Sequence, residues 1–272
     1  MGFKLISEVT VLLSLLVINI LVGVYVKPYH RGFFCNDQSI RYPYKDSTVG
    51  SGLLLFISLI APAIIGFVFQ NKTWLRPWTL SFWKSVYIHT YQFFLGFLVI
   101  FLMTSACKYS IGRLRPNFMS ICKPMPYWNS TSCLTTNIYV TNYTCTGTVA
   151  FLNDQAHQSF FSGHSSLSAY AMGYLVFVFQ KQLGSSLLVA VRILLQSTAI
   201  IIASCVGYSR VSDYWHHWQD VLVGLVAGTL TAILMEVAFK GKQNEQHKLD
   251  NSVITTGSIN GHHSDSLARC IA

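Results

Sequence analysis

The sequence predicts an all-α integral membrane protein with six transmembrane helices and an outward-facing or lumenal-facing active site built from the loop ends. Three observations support this fold class. The 272-residue chain is 52% hydrophobic and only 11% charged, whereas a soluble domain carries about 25% charged residues. Six apolar segments approach the length that crosses a bilayer, and three polar clusters lie at the ends of these segments on one face. So few charges cannot coat a water-facing surface of this size, so helices surrounded by lipid are expected.

The predicted spans approach the roughly 20 apolar residues that cross about 30 Å of hydrocarbon. They cover residues 9–26, 52–69, 86–106, 165–179, 187–206 and 221–239. The fourth is short and rich in serine and glycine, so its ends are the least well defined. The first span has a basic residue, Lys4, before its apolar run, as signal peptides also do. However, the run is long and no A-x-A-like cleavage site follows it. We therefore interpret it as an uncleaved helix.

Residues 1–240 are expected to form one domain, since no internal repeat or Gly/Ser-rich linker divides them. Residues 241–272 are polar, rich in His, Asn, Ser and Gly, and lack apolar periodicity. This composition predicts a disordered tail, which six spans place on the cytosolic side together with the N-terminus.

The long loop between spans three and four, about residues 107–163, is the candidate for the outer or lumenal face. It contains two N-x-[ST] sequons, at Asn129 and Asn142, which are candidate glycosylation sites. A third sequon, at Asn71, falls on the opposite face. Disulfides are compatible with this loop and the first loop, but their pairing cannot be derived from the sequence; the cysteines concerned are Cys35, Cys122, Cys133 and Cys145.

The formal net charge of +9 comes from basic residues scattered through short loops. They are not gathered in a patch with interleaved aromatic residues, so no nucleic-acid partner is predicted. Anchoring at anionic membrane surfaces accounts for much of the excess. The basic residues are nearly equal in number on the two faces, so the positive-inside rule does not fix the orientation. An integral protein of the plasma membrane is our first expectation, and an internal membrane with a lumenal site is the alternative.

The first polar cluster, Lys108-Tyr-Ser-Ile-Gly-Arg113-Leu-Arg115-Pro116, directly follows span three. Lys108 and Arg115 are about two helical turns apart and so point the same way if the segment is helical. Pro116 disfavours a helical conformation at Arg115, so a helix is expected to end there. Converging cations favour an anion between them, and guanidinium groups match phosphate oxygens. Taken alone, Lys108 or Arg113 is more simply an interfacial anchor.

The second cluster, Phe161-Ser162-Gly163-His164, opens span four. Backbone N–H groups at a helix N-terminus form an anion site, which Gly163 leaves accessible because it has no side chain. Ser162 can cap the helix, a structural role that is compatible with anion binding. His164 then stands beside the anion, where it can give a proton to a leaving alkoxide.

The third cluster, Ser209-Arg210-Val-Ser-Asp213-Tyr-Trp-His216-His217-Trp-Gln-Asp220, lies between spans five and six. His216 and Asp220 are four residues apart and would be neighbours on one helix face. A carboxylate bonded to one imidazole nitrogen leaves the other free to attack phosphorus. The same spacing also suits a simple helix-stabilising pair. His217 competes with His216 as nucleophile, and spacing alone does not separate them.

Together, Lys-x6-Arg-Pro, Ser-Gly-His and Ser-Arg-x5-His-x3-Asp resemble the signature of the type 2 phosphatidic acid phosphatase superfamily. The first loop, from Arg31 to Lys45, resembles that of animal lipid phosphate phosphatases, and the resemblance extends over about residues 8–240. Phe161 departs from the wider superfamily, in which many members have proline there, and is common in the animal lipid phosphatases.

The resemblance implies a six-span, metal-independent lipid phosphatase with no cofactor, acting on lipid phosphates in the bilayer. It assigns phosphate binding to Lys108, Arg115, Ser162, Gly163 and Arg210. It makes His216 the nucleophile, Asp220 its orienting acid and His164 the general acid.

The sequence is less consistent with three alternative functions. A lumenal sugar-phosphate phosphatase of the same superfamily would usually carry more spans and lack this first loop. A non-catalytic relative would carry substitutions at the motif residues, whereas the motif residues of this chain are intact. A channel or transporter would carry ionisable residues at mid-membrane depth, whereas Arg192 and Glu236 lie near predicted cytosolic ends.

Gly224 and Gly228 form a G-x-x-x-G pattern in span six. This pattern suits either a homo-oligomer contact or packing within the bundle, and bundle packing is favoured.

Overall fold

The fold of this computed structural model is a bundle of long helices with a smaller cap of loops, short helices and two-residue strands. The structure describes residues 2–70, 80–128, 130–184 and 188–241. Their helices are α1 (Gly2–Tyr25), α2 (Ser51–Leu55), α3 (Ala61–Gln70), α4 (Leu80–Ile111), α5 (Phe118–Cys122), α6 (Thr131–Thr135), α7 (Ala150–Gln155), α8 (Gly163–Gln182), α9 (Val189–Ser212) and α10 (Trp218–Gly241). A π-helical turn, Phe56–Ile60, joins α2 to α3 in one apolar rod. The predicted tail lies almost wholly outside the described residues.

Five of the helices in the described part of the chain are long and apolar enough to cross a membrane. These segments are Leu5–Tyr25, Ser51–Phe69, Phe82–Ile111, Val189–Ser212 and Trp218–Gly241. They correspond to predicted spans one, two, three, five and six. The outer faces of these helices expose many large apolar side chains, which is the pattern that lipid contact requires.

Helix α8 replaces the predicted fourth span but is too polar to qualify as a spanning helix by its composition. Its 20 residues are long enough, at 1.5 Å per residue, to cover about 30 Å. It is enclosed by α3, α4, α9 and α10, and most of its side chains are buried. Tyr170, at its centre, donates a hydrogen bond to the carbonyl of Phe93 on α4 at 2.8 Å. Since α8 faces protein on all these sides, small and polar residues replace the apolar ones that lipid would demand.

Gly224 and Gly228 pack α10 directly against α8. A Cβ atom at Gly224 would lie 2.7 Å from the carbonyl oxygen of Ser162, and one at Gly228 would lie 2.2 Å from that of Ser166. Both separations are below van der Waals contact, so only glycine fits. The G-x-x-x-G pattern therefore serves packing within the bundle, as predicted.

The long loop and the first loop fold together into a cap over one end of the bundle. Strand β1 (Phe33–Phe34) pairs with β3 (Tyr139–Val140), and β2 (Pro124–Met125) pairs with β4 (Thr144–Cys145). Two disulfides, Cys35–Cys133 and Cys122–Cys145, resolve the pairing that the sequence left open. A second apolar core lies beneath them, separate from that of the bundle.

Helix α4 ends at Ile111, four residues before the predicted end at Arg115. The reason is Gly112, whose φ is +59° and whose Cβ position would lie 2.1 Å from the carbonyl oxygen of Tyr29. A glycine in the left-handed conformation is a common helix terminator. Lys108 thus stays on the last turn of the helix, while Arg113 and Arg115 lie on the loop beyond it.

Candidate active site

The three polar clusters meet at the capped end of the bundle. A Cβ atom at Gly163 would lie 3.4 Å from Nζ of Lys108, so the first cluster touches the second. The backbone N–H of Ser162 donates to the carbonyl of Asp220 at 3.0 Å, so the second touches the third. The convergence that the sequence predicted is present in the structure.

Arg115 is a buried cation with incomplete pairing. Its side chain is 4% exposed, and its guanidinium lies 4.7 Å from the ring centroid of Trp215. One nitrogen donates to Gln155 Oε1 at 3.4 Å, while Nε has no hydrogen-bond partner among the described residues. Burial and the nearby Arg210 lower the pKa of Arg115 to about 9, although Asp220 acts in the opposite direction. A bound anion would relieve both the desolvation and the repulsion.

Arg210, on the last turn of α9, is held in place by three side chains. Its Nε donates to Ser209 Oγ at 3.3 Å, Nη1 to Ser47 Oγ at 2.7 Å and Nη2 to Asp213 Oδ2 at 3.2 Å. The arginine is 2% exposed and Asp213 is fully buried. Ser47 belongs to the first loop, so the cap and the bundle fix this cation together.

The N-terminus of α8 lies beside these cations. Ser162 is the N-cap residue, and its hydroxyl accepts hydrogen bonds from the N–H of Ser165 at 3.3 Å and from the Ser165 hydroxyl at 2.9 Å. The capping role predicted for Ser162 is therefore present. The first N–H groups of α8 point outward next to Lys108, which is an arrangement that suits an anion.

His216 has a defined tautomer. Its Nδ1 lies 2.6 Å from the carbonyl oxygen of Ser159. A carbonyl oxygen can only accept, so Nδ1 carries the hydrogen and Nε2 keeps its lone pair. Burial, together with the charges of Arg115 and Lys108, lowers the pKa of His216 well below its ordinary value. The ring is thus neutral, as a nucleophile must be.

His217, the competing candidate, has its Nε2 engaged elsewhere. This nitrogen lies 3.1 Å from the carbonyl oxygen of Leu114, to which it can only donate. The side chain points towards the first loop and lines a cleft of about 190 Å³ with Arg31 and Asp37. This position supports His216 as the candidate nucleophile, and that assignment stays a prediction.

Asp220 does not make the direct bond to His216 that the i,i+4 spacing suggests. His216 precedes α10, which begins at Trp218, and its Nδ1 lies 4.0 Å from Asp220 Oδ2. The fully buried carboxylate instead accepts from Arg113 Nη1 at 2.5 Å, Ser159 Oγ at 2.6 Å and the backbone N–H of His217 at 3.1 Å. The bond to His217 also caps the start of α10.

His164, the second residue of α8, faces the same cations. Its Nε2 donates to the carbonyl of Val49 at 3.1 Å, which fixes the ring and leaves Nδ1 available. Val49 belongs to the first loop, as Ser47 does. The first loop therefore holds two residues of the site.

Four residues that contact the site were not assigned a role from the sequence: Ser47, Arg113, Ser159 and Asp213. Arg113 and Asp213 are charged residues within the motif clusters, so the sequence could have identified them as site residues. Ser47 and Ser159 lie outside the clusters, and serine is too common in loops to be singled out. Among the described residues, no group of three His, Cys, Asp or Glu side chains could hold a metal ion.

One of the two candidate glycosylation sites, Asn142, lies on the cap. Asn142 is exposed and lies between β3 and β4. Asn129 lies outside the described residues. Nothing in the structure tests modification at either asparagine.

Residues 89–243 match the family model of the PAP2 superfamily. This region contains all three motif clusters and more than half of the chain. The protein belongs to the PAP2 superfamily, and its long apolar helices make it an integral membrane member.

The chain is similar to curated animal proteins over most of its length. It is 38% identical to phospholipid phosphatase 2 of Homo sapiens over 214 residues, which covers 76% of this chain and 72% of the relative. It is 36% identical to phospholipid phosphatase 2 of Bos taurus (85% and 80% covered) and 34% identical to phospholipid phosphatase 1 of Rattus norvegicus (84% and 83% covered). No solved structure matches the chain.

Proposed function

We propose that this protein is a metal-independent phosphatase that hydrolyses lipid phosphate monoesters through a phosphohistidine intermediate on His216. The substrates proposed are phosphatidic acid, lysophosphatidic acid, ceramide 1-phosphate and sphingosine 1-phosphate. The observation that carries the proposal is the free Nε2 of a neutral, buried His216 beside the cations of Lys108 and Arg115. The names of the relatives, phospholipid phosphatases, support the substrate class.

In the first step, Nε2 of His216 attacks phosphorus while the bond from phosphorus to the lipid oxygen breaks. The leaving alkoxide takes a proton from His164. In the second step, water attacks the phosphohistidine, His164 takes a proton from that water, and the N–P bond breaks to release inorganic phosphate. His216 returns to its neutral form, so protons and phosphoryl groups balance over the cycle.

The cations supply the positive charge that the transition state needs. Charge spreads over the three equatorial oxygens of the transferred phosphoryl group, which Lys108, Arg115, Arg210, the N–H group of Gly163 and the hydroxyl hydrogen of Ser162 can receive. The same anion favours a protonated His164, because it offsets the repulsion from the neighbouring cations.

For the membrane arrangement, we infer that α8 is the fourth of six spans and that the site faces the outside or a lumen. The two disulfides of the cap suit an oxidising compartment, and the sequons at Asn129 and Asn142 fall on the same face. Residues 1–240 then form the membrane domain, and the plasma membrane is the first location to test. A lipid headgroup can reach this site while its chains remain in the bilayer.

The test is phosphate release from lysophosphatidic acid by the purified protein in detergent micelles with excess chelator. His216→Ala should abolish release, and the matched His217→Gln variant should retain it. The protein is also labelled with ³²P from the substrate, and the stability of this label is compared in acid and in base. Phosphohistidine survives base and not acid, so the comparison shows which bond holds the phosphoryl group. Release that needs a divalent metal, or that survives His216→Ala, would overturn the mechanism. No release from any lipid phosphate would overturn the substrate class.

A further inference from the structure

Ser159 is a fully buried residue that connects three parts of the site. Its backbone N–H donates to the carbonyl of Arg113 at 2.9 Å, and its own carbonyl accepts from Nδ1 of His216 at 2.6 Å. Its hydroxyl donates to Asp220 Oδ2 at 2.6 Å. All three polar groups of this one residue are therefore used, and each is used on a different neighbour.

Asp220 does not bond directly to the imidazole of His216, and Ser159 links its carboxylate to the carbonyl that holds this ring. Oδ2 of Asp220 lies 4.0 Å from Nδ1 of His216, beyond hydrogen-bond distance. Its oxygens are already engaged by Arg113, by the Ser159 hydroxyl and by the backbone N–H of His217. A direct carboxylate–imidazole bond would require these contacts to be rearranged.

We propose that Ser159 is a positioning residue that carries the influence of the Arg113–Asp220 ion pair to His216. The ion pair anchors the Ser159 hydroxyl, and this anchor fixes the orientation of the peptide whose carbonyl holds the imidazole. Without the hydroxyl, the backbone of Ser159 keeps its N–H bond to the carbonyl of Arg113 but loses its link to the ion pair, and Asp220 Oδ2 loses a donor. The imidazole then loses its fixed acceptor or turns towards the carboxylate.

This arrangement separates two roles that the motif alone would merge. The tautomer of His216 is set by a neutral carbonyl. The negative charge of Asp220 instead pairs with Arg113 and accepts a hydrogen bond from the backbone at the start of α10. The nucleophile therefore stays oriented without a carboxylate against it. The catalytic consequence rests on the proposed function, but the hydrogen-bond arrangement does not.

The test compares Ser159→Ala and Ser159→Thr with Ser110→Ala as a matched control. Ser110 is exposed at the end of α4, and its hydroxyl bonds only to carbonyls of its own helix. Ser159→Ala removes a hydrogen bond to a charged group that fixes the acceptor of the imidazole, so it should lower kcat on the order of tenfold or more. KM should change by less than about twofold, because Ser159 contacts none of the phosphate-binding cations. Ser159→Thr, which keeps the hydroxyl, should recover most of the rate.

A second measurement does not depend on activity. In the downfield proton NMR spectrum of the protein in micelles, the Nδ1–H resonance of His216 is identified by its loss in His216→Ala. This resonance should shift in Ser159→Ala and stay unchanged in Ser110→Ala. If Ser159→Ala fails to fold, Arg113→Gln removes the other anchor of Asp220 and should shift the same resonance.

The outcomes separate this inference from the proposed function. An unmoved resonance together with an unchanged kcat in an active enzyme would overturn the inference and leave the function standing. A rise in KM alone would also overturn it, because substrate binding would then be the role of Ser159. A shifted resonance in a protein that releases no phosphate from any lipid would support the hydrogen-bond arrangement and overturn the function.

Discussion

Arg210 and Asp213 form an ion pair at 3.2 Å in which neither side chain is more than 2% exposed. The same carboxylate accepts two hydrogen bonds from Thr48 and lies 2.9 Å from Nζ of Lys45. Asp213 thus connects a predicted phosphate ligand at the end of α9 to the first loop. The position of the cation depends on the loop that covers it.

Asp213→Asn should therefore weaken substrate binding and stability together. Removing one partner of a buried ion pair costs about 3–5 kcal/mol, and the amide keeps some of the hydrogen bonds, so the lower end is expected. We expect KM to rise and the unfolding temperature to fall. Asp46→Asn is the matched control, because Asp46 is exposed in the same loop. Equal behaviour of the two variants in activity and thermal unfolding would contradict the prediction.

The pH range of this contribution follows from the pKa of Asp213. Burial raises it, but the contacts with Lys45 and Thr48 outweigh burial and lower it overall. A carboxyl group with a lowered pKa stabilises the fold above its unfolded value, about 3.9, and this stabilisation is lost as the pH falls through the folded value. The stabilisation that this pair contributes should therefore stay constant from neutral pH down to about pH 5 and decrease at lower pH.

The acid limb of the rate profile should depend on the cations around His216. Burial and Arg115 lower the pKa of His216, so Arg115→Gln should raise it towards 6.5 and move the acid limb of kcat/KM to higher pH. Lys123→Gln, at an exposed residue of the cap, should leave the limb where it is. The substrate is the same in both assays, so its own titration cancels in the comparison. A limb that does not move in Arg115→Gln would show that this arginine does not act on the nucleophile.

The same lowered pKa affects folding. An unfolded chain protonates His216 below about pH 6.5, whereas the folded chain does not, so the free energy of unfolding should decrease as the pH falls below 6.5. His157 should contribute to this decrease in the same way, since burial lowers its pKa to about 4. Thermal unfolding between pH 7.5 and 5 measures this decrease.

Gly228→Val should separate the α10 and α8 helices without changing the oligomeric state. Its Cβ would lie 2.2 Å from the carbonyl oxygen of Ser166, and overpacking of this kind typically costs about 1–3 kcal/mol. Gly23→Val is the control, because nothing lies within 4 Å of its Cβ position. Thermal unfolding and light scattering are the measurements. A change in mass without a loss of stability would instead assign the glycines to a contact between copies.

Asn142→Gln tests which face carries the cap. Glycosylation acts on lumenal segments, so this variant should lose a glycan that an endoglycosidase removes from the parent protein. Asn71→Gln, at the sequon on the opposite face, should not change the mobility on a gel. The reverse pattern would invert the orientation proposed for the site.

The sequence predicted the helices and the meeting of the three clusters, because the length of an apolar segment and the spacing of a motif follow directly from the residue types. It did not predict that α4 ends at Ile111, just before Gly112, although a glycine after a helical run is a recognised terminator. The bond from His216 to Ser159 could not be predicted, since a backbone carbonyl has no residue signature. Likewise, four cysteines allow three pairings, and only the folded cap selects Cys35–Cys133 and Cys122–Cys145.

The polar character of α8 has a consequence for how the protein is made. A helix whose composition falls short of the apolarity needed to cross a bilayer would gain little by partitioning into lipid alone. On the six-span arrangement proposed above, α8 therefore enters the membrane alongside α4, α9 and α10, which shield its serines and glycines once they are all present. Insertion of the helix that begins with Gly163 and His164 then waits for synthesis of the last span, and a chain cut before α10 should leave α8 accessible from the aqueous side.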